Sequence, residues 1–253
     1  MARPVDRRAV LAAVLGLLVF ALAWEIIGRR ELLGSSWPPL SDVWATLSNP
    51  KRWTLLGRAL RATAREAAIG YVVGVSAALA VCTLAALVPW ARRGVYDFAA
   101  IVNALPIIAI GPLLIAFFPR PVTPIVIAAL TVFFTTTVSV AAGIERSSDA
   151  HQQVASVLGA SRWRRFRYIQ VPAAMPSVMD GLKLAAPSAV LGALLGEWFG
   201  TEVGLGQVLL VSMQNYQIDL LWSAALLGAA VALLAYGTIS LAQRRVADRF
   251  GGI

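Results

Sequence analysis

The chain has 253 residues, of which 58% are hydrophobic and 14% charged, and its net charge is +9. Soluble domains carry about a quarter charged residues, so this composition indicates a protein of the lipid bilayer. The single cysteine, Cys82, excludes an internal disulfide and a cysteine cluster for metal, and the single histidine, His151, argues against histidine-based metal chemistry. Arginines stand at the ends of apolar runs, a pattern that fits orientation in a membrane better than binding of nucleic acid.

Six apolar runs are long enough to cross a bilayer core of about 30 Å, which needs about 20 helical residues. They cover residues 10–27, 64–89, 98–118, 123–144, 177–199 and 220–241. The first run is longer than the core of a secretory signal and has no small-x-small cleavage pattern, so we expect it to be a retained span. The predicted fold class is an all-α integral membrane protein with one domain over residues 1–253.

The loop between the first two spans contains a short amphipathic pattern. Ser41 is predicted to cap a helix there, and the tryptophans Trp37, Trp44 and Trp53 suit a headgroup layer. The segment Pro119–Val122 is predicted to be a tight turn between the third and fourth spans.

The distribution of arginine and lysine favours cytoplasmic positions for both termini. With that orientation the inner segments hold more basic residues, and the outer turn over residues 200–219 holds none. We therefore expect a multi-pass protein of the bacterial inner membrane.

The polar, arginine-rich segment 147–172 interrupts this apolar chain. Its pattern predicts two short helices, capped by Asp149 and Ser161 and joined at Gly159 in a left-handed turn. Pro172 is predicted to stop the second helix. An apolar face on such a segment suggests a docking element for another protein.

No energy source is visible in the sequence. A phosphate-binding loop ends in Gly-Lys-Ser or Gly-Lys-Thr, and the chain has no Gly-Lys pair. The acidic residues of the apolar runs, Glu25, Glu66, Asp180 and Glu197, lie near the predicted span ends, so a proton relay is not indicated. We therefore expect a transport subunit without catalytic residues that takes its energy from another chain.

The spacing inside segment 147–172 resembles the EAA loop of binding-protein-dependent ABC transporter permeases. That loop reads Glu-Ala-Ala, three residues, Gly, nine residues, Ile-x-Leu-Pro. Here Gln153-Val154-Ala155, Gly159 and Ile169-Gln170-Val171-Pro172 keep the spacing, with Gln153, Val154 and Val171 as departures. Landmarks similar to the nitrate, sulfonate and taurine branch are Leu105-Pro106, Gly111-Pro112-Leu113, Gly181-Leu182-Lys183, Gly196-Glu197 and Gly204-Leu205-Gly206.

The resemblance implies a type I ABC importer permease fold and several partners. These are a second permease subunit in a homodimer, a cytoplasmic ABC ATPase dimer that carries ATP and Mg²⁺, and an extracytoplasmic solute-binding protein. This chain itself is expected to bind no cofactor. The expected solute is a small anion such as a sulfonate, nitrate or an aromatic carboxylate, and a neutral heterocycle stays open. The alternatives are an ion-coupled secondary transporter, a membrane enzyme and a non-transporting scaffold.

The resemblance implies that residues of this loop contact the ATPase, and the neighbouring arginines are expected to add polar contacts. Together the predicted contact residues are Gln153, Val154, Ala155, Gly159, Ala160, Ser161, Arg164, Arg165, Ile169 and Pro172. Some of these arginines are also explained as orientation charges.

Two further groups of polar residues are candidate sites. The translocation path is predicted to include Asn103, Thr131, Thr135 and Ser139. Alternatively, the hydroxyls bond the carbonyl four residues back and the amide bonds a neighbouring helix. The face toward the binding protein is predicted to include Glu197, Gln207, Gln214 and Asn215. The alternative there is an ordinary solvated turn.

Overall fold

The computed structural model describes residues 7–88, 106–145, 154–199 and 201–250, with isolated positions between 90 and 101. Every regular element in these residues is helical. The α-helices are α1 (Arg7–Arg29), α2 (Leu40–Ser48), α3 (Pro50–Leu87), α4 (Ile107–Phe117), α5 (Thr123–Glu145), α6 (Arg162–Arg165), α7 (Val171–Glu197), α8 (Leu205–Gln214) and α9 (Ile218–Phe250). The predicted all-α class is therefore confirmed.

Five helical runs in the described residues are long and apolar enough to cross a membrane. They are Val10–Arg29, Pro50–Leu87, Arg120–Glu145, Arg162–Glu197 and Ile218–Arg244. Five of the six predicted spans thus appear as helices of sufficient length. Of the predicted third span, 98–118, only α4 is described as a continuous helix, and it has 11 residues.

The predicted turn and loop helix are both present, with one correction. A single 3-10 turn, Arg120–Val122, connects the chain after α4 to α5. Helix α2 forms where a short helix was predicted, but its N-cap is Pro39. Ser41 is therefore not the cap; it lies in the first turn, where its backbone N–H and its hydroxyl both donate to the Glu25 carboxylate.

The prediction that Pro172 stops a helix is wrong. A five-residue π-helical segment, Phe166–Gln170, connects α6 directly to α7. Pro172 therefore falls in the first turn of α7, directly after the π-helical segment, and its missing N–H removes one hydrogen bond from the run without ending it. The helical run from Arg162 to Glu197 continues through it.

The described chain forms two compact units, Met1–Gly57 with Val208–Leu226, and Arg58–Gln207 with Leu227–Ile253. The first unit is held by three indole rings, Trp24, Trp37 and Trp222, whose centroids lie 4.7 to 4.9 Å apart. The indole N–H groups of Trp24 and Trp222 donate to backbone carbonyls at 3.0 Å. Trp37 thus belongs to this cluster, whereas Trp44 and Trp53 are 70% and 61% exposed.

The second unit is built on close packing of α5 against α7. Small residues make this possible: a side-chain carbon at Gly192 would lie 2.7 Å from the Ala128 Cα, and one at Gly143 would lie 2.9 Å from the Ser177 Cβ. Helices in a bilayer gain stability mainly from such close backbone approach, because lipid tails are as apolar as the side chains. The α5–α7 pair is therefore the rigid base on which the candidate sites stand.

Candidate functional site

The predicted hinge of segment 147–172 is present at Gly159. Its φ is +75°, which is the left-handed conformation that favours glycine. The Gly159 N–H donates to the Ser156 carbonyl at 3.0 Å, and the Ala160 N–H donates to the Ala155 carbonyl at 2.9 Å. These two bonds form the Schellman motif that ends a helix, so the prediction of a left-handed helix end is confirmed.

The second short helix begins as predicted at Ser161. Its hydroxyl oxygen accepts the Arg164 N–H at 3.3 Å, which satisfies one of the free N–H groups of the first turn. The other predicted cap, Asp149, and the first residue of the EAA-like pattern, Gln153, lie outside the described residues.

The segment presents apolar side chains to its surroundings. Val154, Val157 and Leu158 are 59%, 87% and 80% exposed. On the following π-helical segment, Phe166 is only 8% exposed and packs with Cys82 and neighbouring core residues. The segment is thus anchored at one end and offers an uncovered apolar face at the other.

The predicted path residues of α5 have their hydroxyls engaged. Thr135 donates to the Thr131 carbonyl and Ser139 to the Thr135 carbonyl, both at 3.0 Å. The single hydroxyl proton of Thr131 is shared between the Ala128 carbonyl at 2.8 Å and the Ser188 carbonyl of α7 at 3.1 Å. These contacts match the structural alternative, and the path role of these residues stays a prediction. Asn103 lies outside the described residues.

Glu197 does not lie on the surface, so the prediction that it faces a binding protein or solvent is wrong. Its side chain is 0% exposed. The Thr63 hydroxyl donates to Glu197 Oε1 at 2.6 Å, and the Gly206 N–H donates to Oε2. Thr63 in turn accepts the Leu205 N–H at 2.9 Å. The carboxylate is buried because these donors replace water around it.

Sequence reasoning missed Thr63, which stands 134 residues before its partner. The available signal was Gly204-Leu205-Gly206, because a side-chain carbon at either glycine would collide with the Glu197 carboxylate. The other predicted outer residues differ from Glu197: Gln214 and Asn215 are exposed and Gln207 is half-buried. Their role at a binding-protein face stays a prediction.

Comparison with known proteins identifies the family. The family described as "binding-protein-dependent transport system inner membrane component" matches residues 70–251, and the chain belongs to it. The formylaminopyrimidine transport permease protein ThiX of Halalkalibacterium halodurans is 30% identical over 199 residues, 75% of this chain and 76% of that protein. The bicarbonate transport system permease protein CmpB of Synechocystis is 24% identical over 261 residues, 95% of this chain and 90% of that protein.

The solved structures support the same fold. A chain from an amino acid ABC transporter crystallised with histidines has a TM-score of 0.66 at 17% identity, covering 79% of this chain and 97% of that one. The fold is that of type I ABC importer permeases. The protein is accordingly a multi-pass permease subunit of an ABC importer, in a family that transports and does not catalyse and that works with an ATPase and a binding protein. The comparisons give no support to a secondary transporter, a membrane enzyme or a scaffold.

Proposed function

We propose that this permease forms the path for a small solute and takes its driving force from a separate cytoplasmic ABC ATPase through segment 147–172. The observation that carries the proposal is the uncovered apolar face of Val154, Val157 and Leu158 beside the left-handed Gly159. Contiguous exposed apolar side chains at the end of a rigid element are typical of protein contact sites.

The energetic argument follows from burial. Each Å² of apolar surface removed from water contributes about 25 cal/mol, so covering three large side chains contributes several kcal/mol to docking. The Schellman turn and the Ser161 cap fix the shape of the segment, which lowers the entropy cost of binding. Arg164 is exposed and Arg165 is half-buried, and both can add polar contacts at the rim of the contact.

Force transmission has a structural basis in the continuous helical run. Because Phe166–Gln170 joins α6 to α7 without a break, a displacement of the docked segment is passed along a single helix to its other end. Movement of the ATPases during the ATP cycle would thus reach the membrane spans directly. ATP and Mg²⁺ belong to the partner ATPase in this mechanism.

The complete assembly that we propose contains two copies of this permease, an ATPase dimer and an extracytoplasmic solute-binding protein. Both permease termini are cytoplasmic, and residues 1–253 act as one transmembrane permease domain. Gln207, Gln214 and Asn215 lie toward the binding protein, and Asn103, Thr131, Thr135 and Ser139 lie along the path.

For the solute we propose a small anion, such as a sulfonate, nitrate or an aromatic carboxylate. The bicarbonate permease CmpB, which aligns with 95% of this chain, supports an anion. A nitrogen heterocycle is the second candidate, because the formylaminopyrimidine permease ThiX is 30% identical. Uptake of labelled taurine, nitrate and formylaminopyrimidine by cells that express the complete transporter separates the two classes.

The docking proposal is tested by placing a charge on the apolar face. Val157→Asp should reduce the amount of cognate ATPase that co-purifies with the tagged permease by about tenfold or more, because burial of an unpaired carboxylate costs several kcal/mol. Membrane insertion should be unchanged, since Val157 is 87% exposed. Tyr216→Asp is the matched control: Tyr216 is 86% exposed but lies outside the segment, so ATPase retention should be normal. Equal retention by both variants would refute the proposed contact.

A further inference from the structure

An ion pair stands near the middle of α7. The Lys183 ammonium lies 3.4 Å from Asp180 Oδ1. With a rise of about 1.5 Å per residue, Lys183 is about 18 Å from Val171 and about 21 Å from Glu197. Asp180 lies three positions inside the predicted span 177–199, and charged groups near the end of a span generally face water or a water-filled cavity.

Helix α9 completes a small polar cluster around this pair. The Gln243 side-chain N–H donates to Asp180 Oδ1 at 2.8 Å, and the Tyr236 ring centroid lies 5.8 Å from the Lys183 ammonium. The second carboxylate oxygen, Oδ2, accepts no hydrogen bond from the described residues. The cluster therefore offers a cationic donor, a free acceptor and an aromatic ring.

Asp180 is more exposed than Lys183, so the accessible side of the ion pair is the side of Asp180. The Lys183 side chain is 20% exposed, whereas the Asp180 side chain is 56% exposed. Leu184 and Leu191, at spacings that place them on the same face of α7 as Asp180, are 53% and 58% exposed. Asp180 thus stands on an open stripe of α7, distinct from the small-residue face that packs against α5.

We propose that Asp180 and Lys183 form a solute-binding site on the translocation path, for a solute that carries an amino group close to an acceptor atom. Asp180 accepts the amino N–H, Lys183 donates to the acceptor, and Tyr236 flanks the solute. Among the proposed solutes, ω-amino sulfonates and aminopyrimidines present this pair of groups, whereas nitrate and simple aromatic carboxylates do not, so the site narrows the proposed solute class to the first two. The inference deepens the proposed transport function and rests on it, because it assigns the open stripe of α7 to the path.

Cysteine accessibility tests the location of the site. Cys82, the only cysteine, is 2% exposed, and Cys82→Ser gives a background without thiols. In open membrane fragments a charged, membrane-impermeant methanethiosulfonate should modify Asp180→Cys at least about tenfold faster than Leu18→Cys, because the reactive thiolate needs water. Leu18 is a matched control, since it is 55% exposed on the apolar helix α1. Equally slow modification of both would overturn the proposal and show that lipid or a second subunit covers this stripe.

Solute protection tests the chemistry of the site. Leu184→Cys in the same background places the thiol one turn from Asp180, in a permease–ATPase complex without binding protein. Taurine and formylaminopyrimidine should slow its modification, and ethanesulfonate, which lacks the amino group of taurine, should do so only at higher concentration. Adding Asp180→Asn should raise the half-protecting taurine concentration by about tenfold, because the amide accepts the ammonium N–H without the charge that strengthens the bond to a carboxylate. The ethanesulfonate value should change by less than about twofold.

Two results would overturn this chemistry. One is an equal effect of Asp180→Asn on taurine and ethanesulfonate, which indicates a structural role; the other is the absence of protection by both amino solutes. ATPase co-purification is measured on the same samples. If the ATPase is retained normally, an absence of solute protection counts against the solute site and not against docking. Loss of ATPase from the Val157→Asp variant counts on the docking proposal alone.

Discussion

The two ends of the helical run from Arg162 to Glu197 differ in the polarity and the burial of their side chains. Before its first end, Val154, Val157 and Leu158 are apolar and uncovered. At its other end, Glu197 has an ionisable side chain that is fully buried and accepts hydrogen bonds from Thr63 and Gly206. Both ends depart from the usual distribution of apolar residues inside and charged residues outside.

The difference shows which end needs a partner. Thr63 and Gly206 supply donors to Glu197 from within this chain, so contacts inside the fold explain the burial of its side chain. The apolar side chains of the segment are uncovered by the described residues of this chain, and the proposed ATPase contact would cover them. Loss of stability without loss of docking is therefore expected from changes at Glu197, and the reverse from changes in the segment.

The largest effect on transport is expected from Gly159→Pro. Proline fixes φ near −65° and has no N–H, whereas Gly159 has φ +75° and donates to the Ser156 carbonyl. ATP-driven uptake should fall to background while membrane insertion is unchanged, as measured by transport assays and by the amount of permease in isolated membranes.

Gly34→Pro is the matched control for this change. Gly34 has φ +76° and donates to the Glu31 carbonyl at 2.9 Å, so proline does the same local damage outside the segment. A similar loss of uptake in both variants would contradict a special role for the hinge.

A smaller effect, on stability, is expected from Glu197→Ala. The Thr63 hydroxyl and the Gly206 N–H lose a buried acceptor, and leaving such donors unsatisfied costs about 1–3 kcal/mol. The thermal unfolding temperature of the detergent-solubilised permease should fall, while the fraction of ATPase retained by folded permease stays normal. Glu202→Ala should leave the unfolding temperature unchanged, because Glu202 is exposed. A comparable drop in unfolding temperature in both variants would show that the contacts of Glu197 with Thr63 and Gly206 are not the cause.

The smallest effect is expected from Ser161→Ala. It removes the oxygen that accepts the Arg164 N–H, and loss of such a cap costs about 1 kcal/mol. The affinity for the ATPase, measured by titrated co-purification, should fall by about fivefold. Ser161→Thr keeps the acceptor oxygen and should keep the affinity for the ATPase. An equal loss of affinity in both variants would show that helix capping by the hydroxyl is not the cause.

Features set by neighbouring residues could be predicted from the sequence. The apolar run lengths predicted the five described spans, and Gly159 and Ser161 predicted a helix end and a helix start that the structure contains. In each case the deciding interaction joins residues within a few positions of each other, such as Ser161 and Arg164. The spacing of segment 147–172 and the Gly and Pro landmarks were enough to indicate the family.

Predictions that depended on what a residue packs against were less successful. Ser41 was expected as a cap and instead donates to Glu25, which lies on another helix. Pro172 was expected to end a helix, but the preceding π-helical segment places it in the first turn of α7.

The sequence by itself determined that the chain spans a membrane, that one helix ends at Gly159 and another begins at Ser161, and which family the chain belongs to, because run length, capping and residue spacing are local properties. Only the tertiary structure decided that Glu197 is interior and that Asp180 stands on an open stripe. It also decided that Phe166 is anchored while Val154, twelve positions earlier, is exposed. Burial is a property of all neighbours at once. It is set by contacts such as Thr63 with Glu197, across 134 positions of the chain, and no local pattern encodes them.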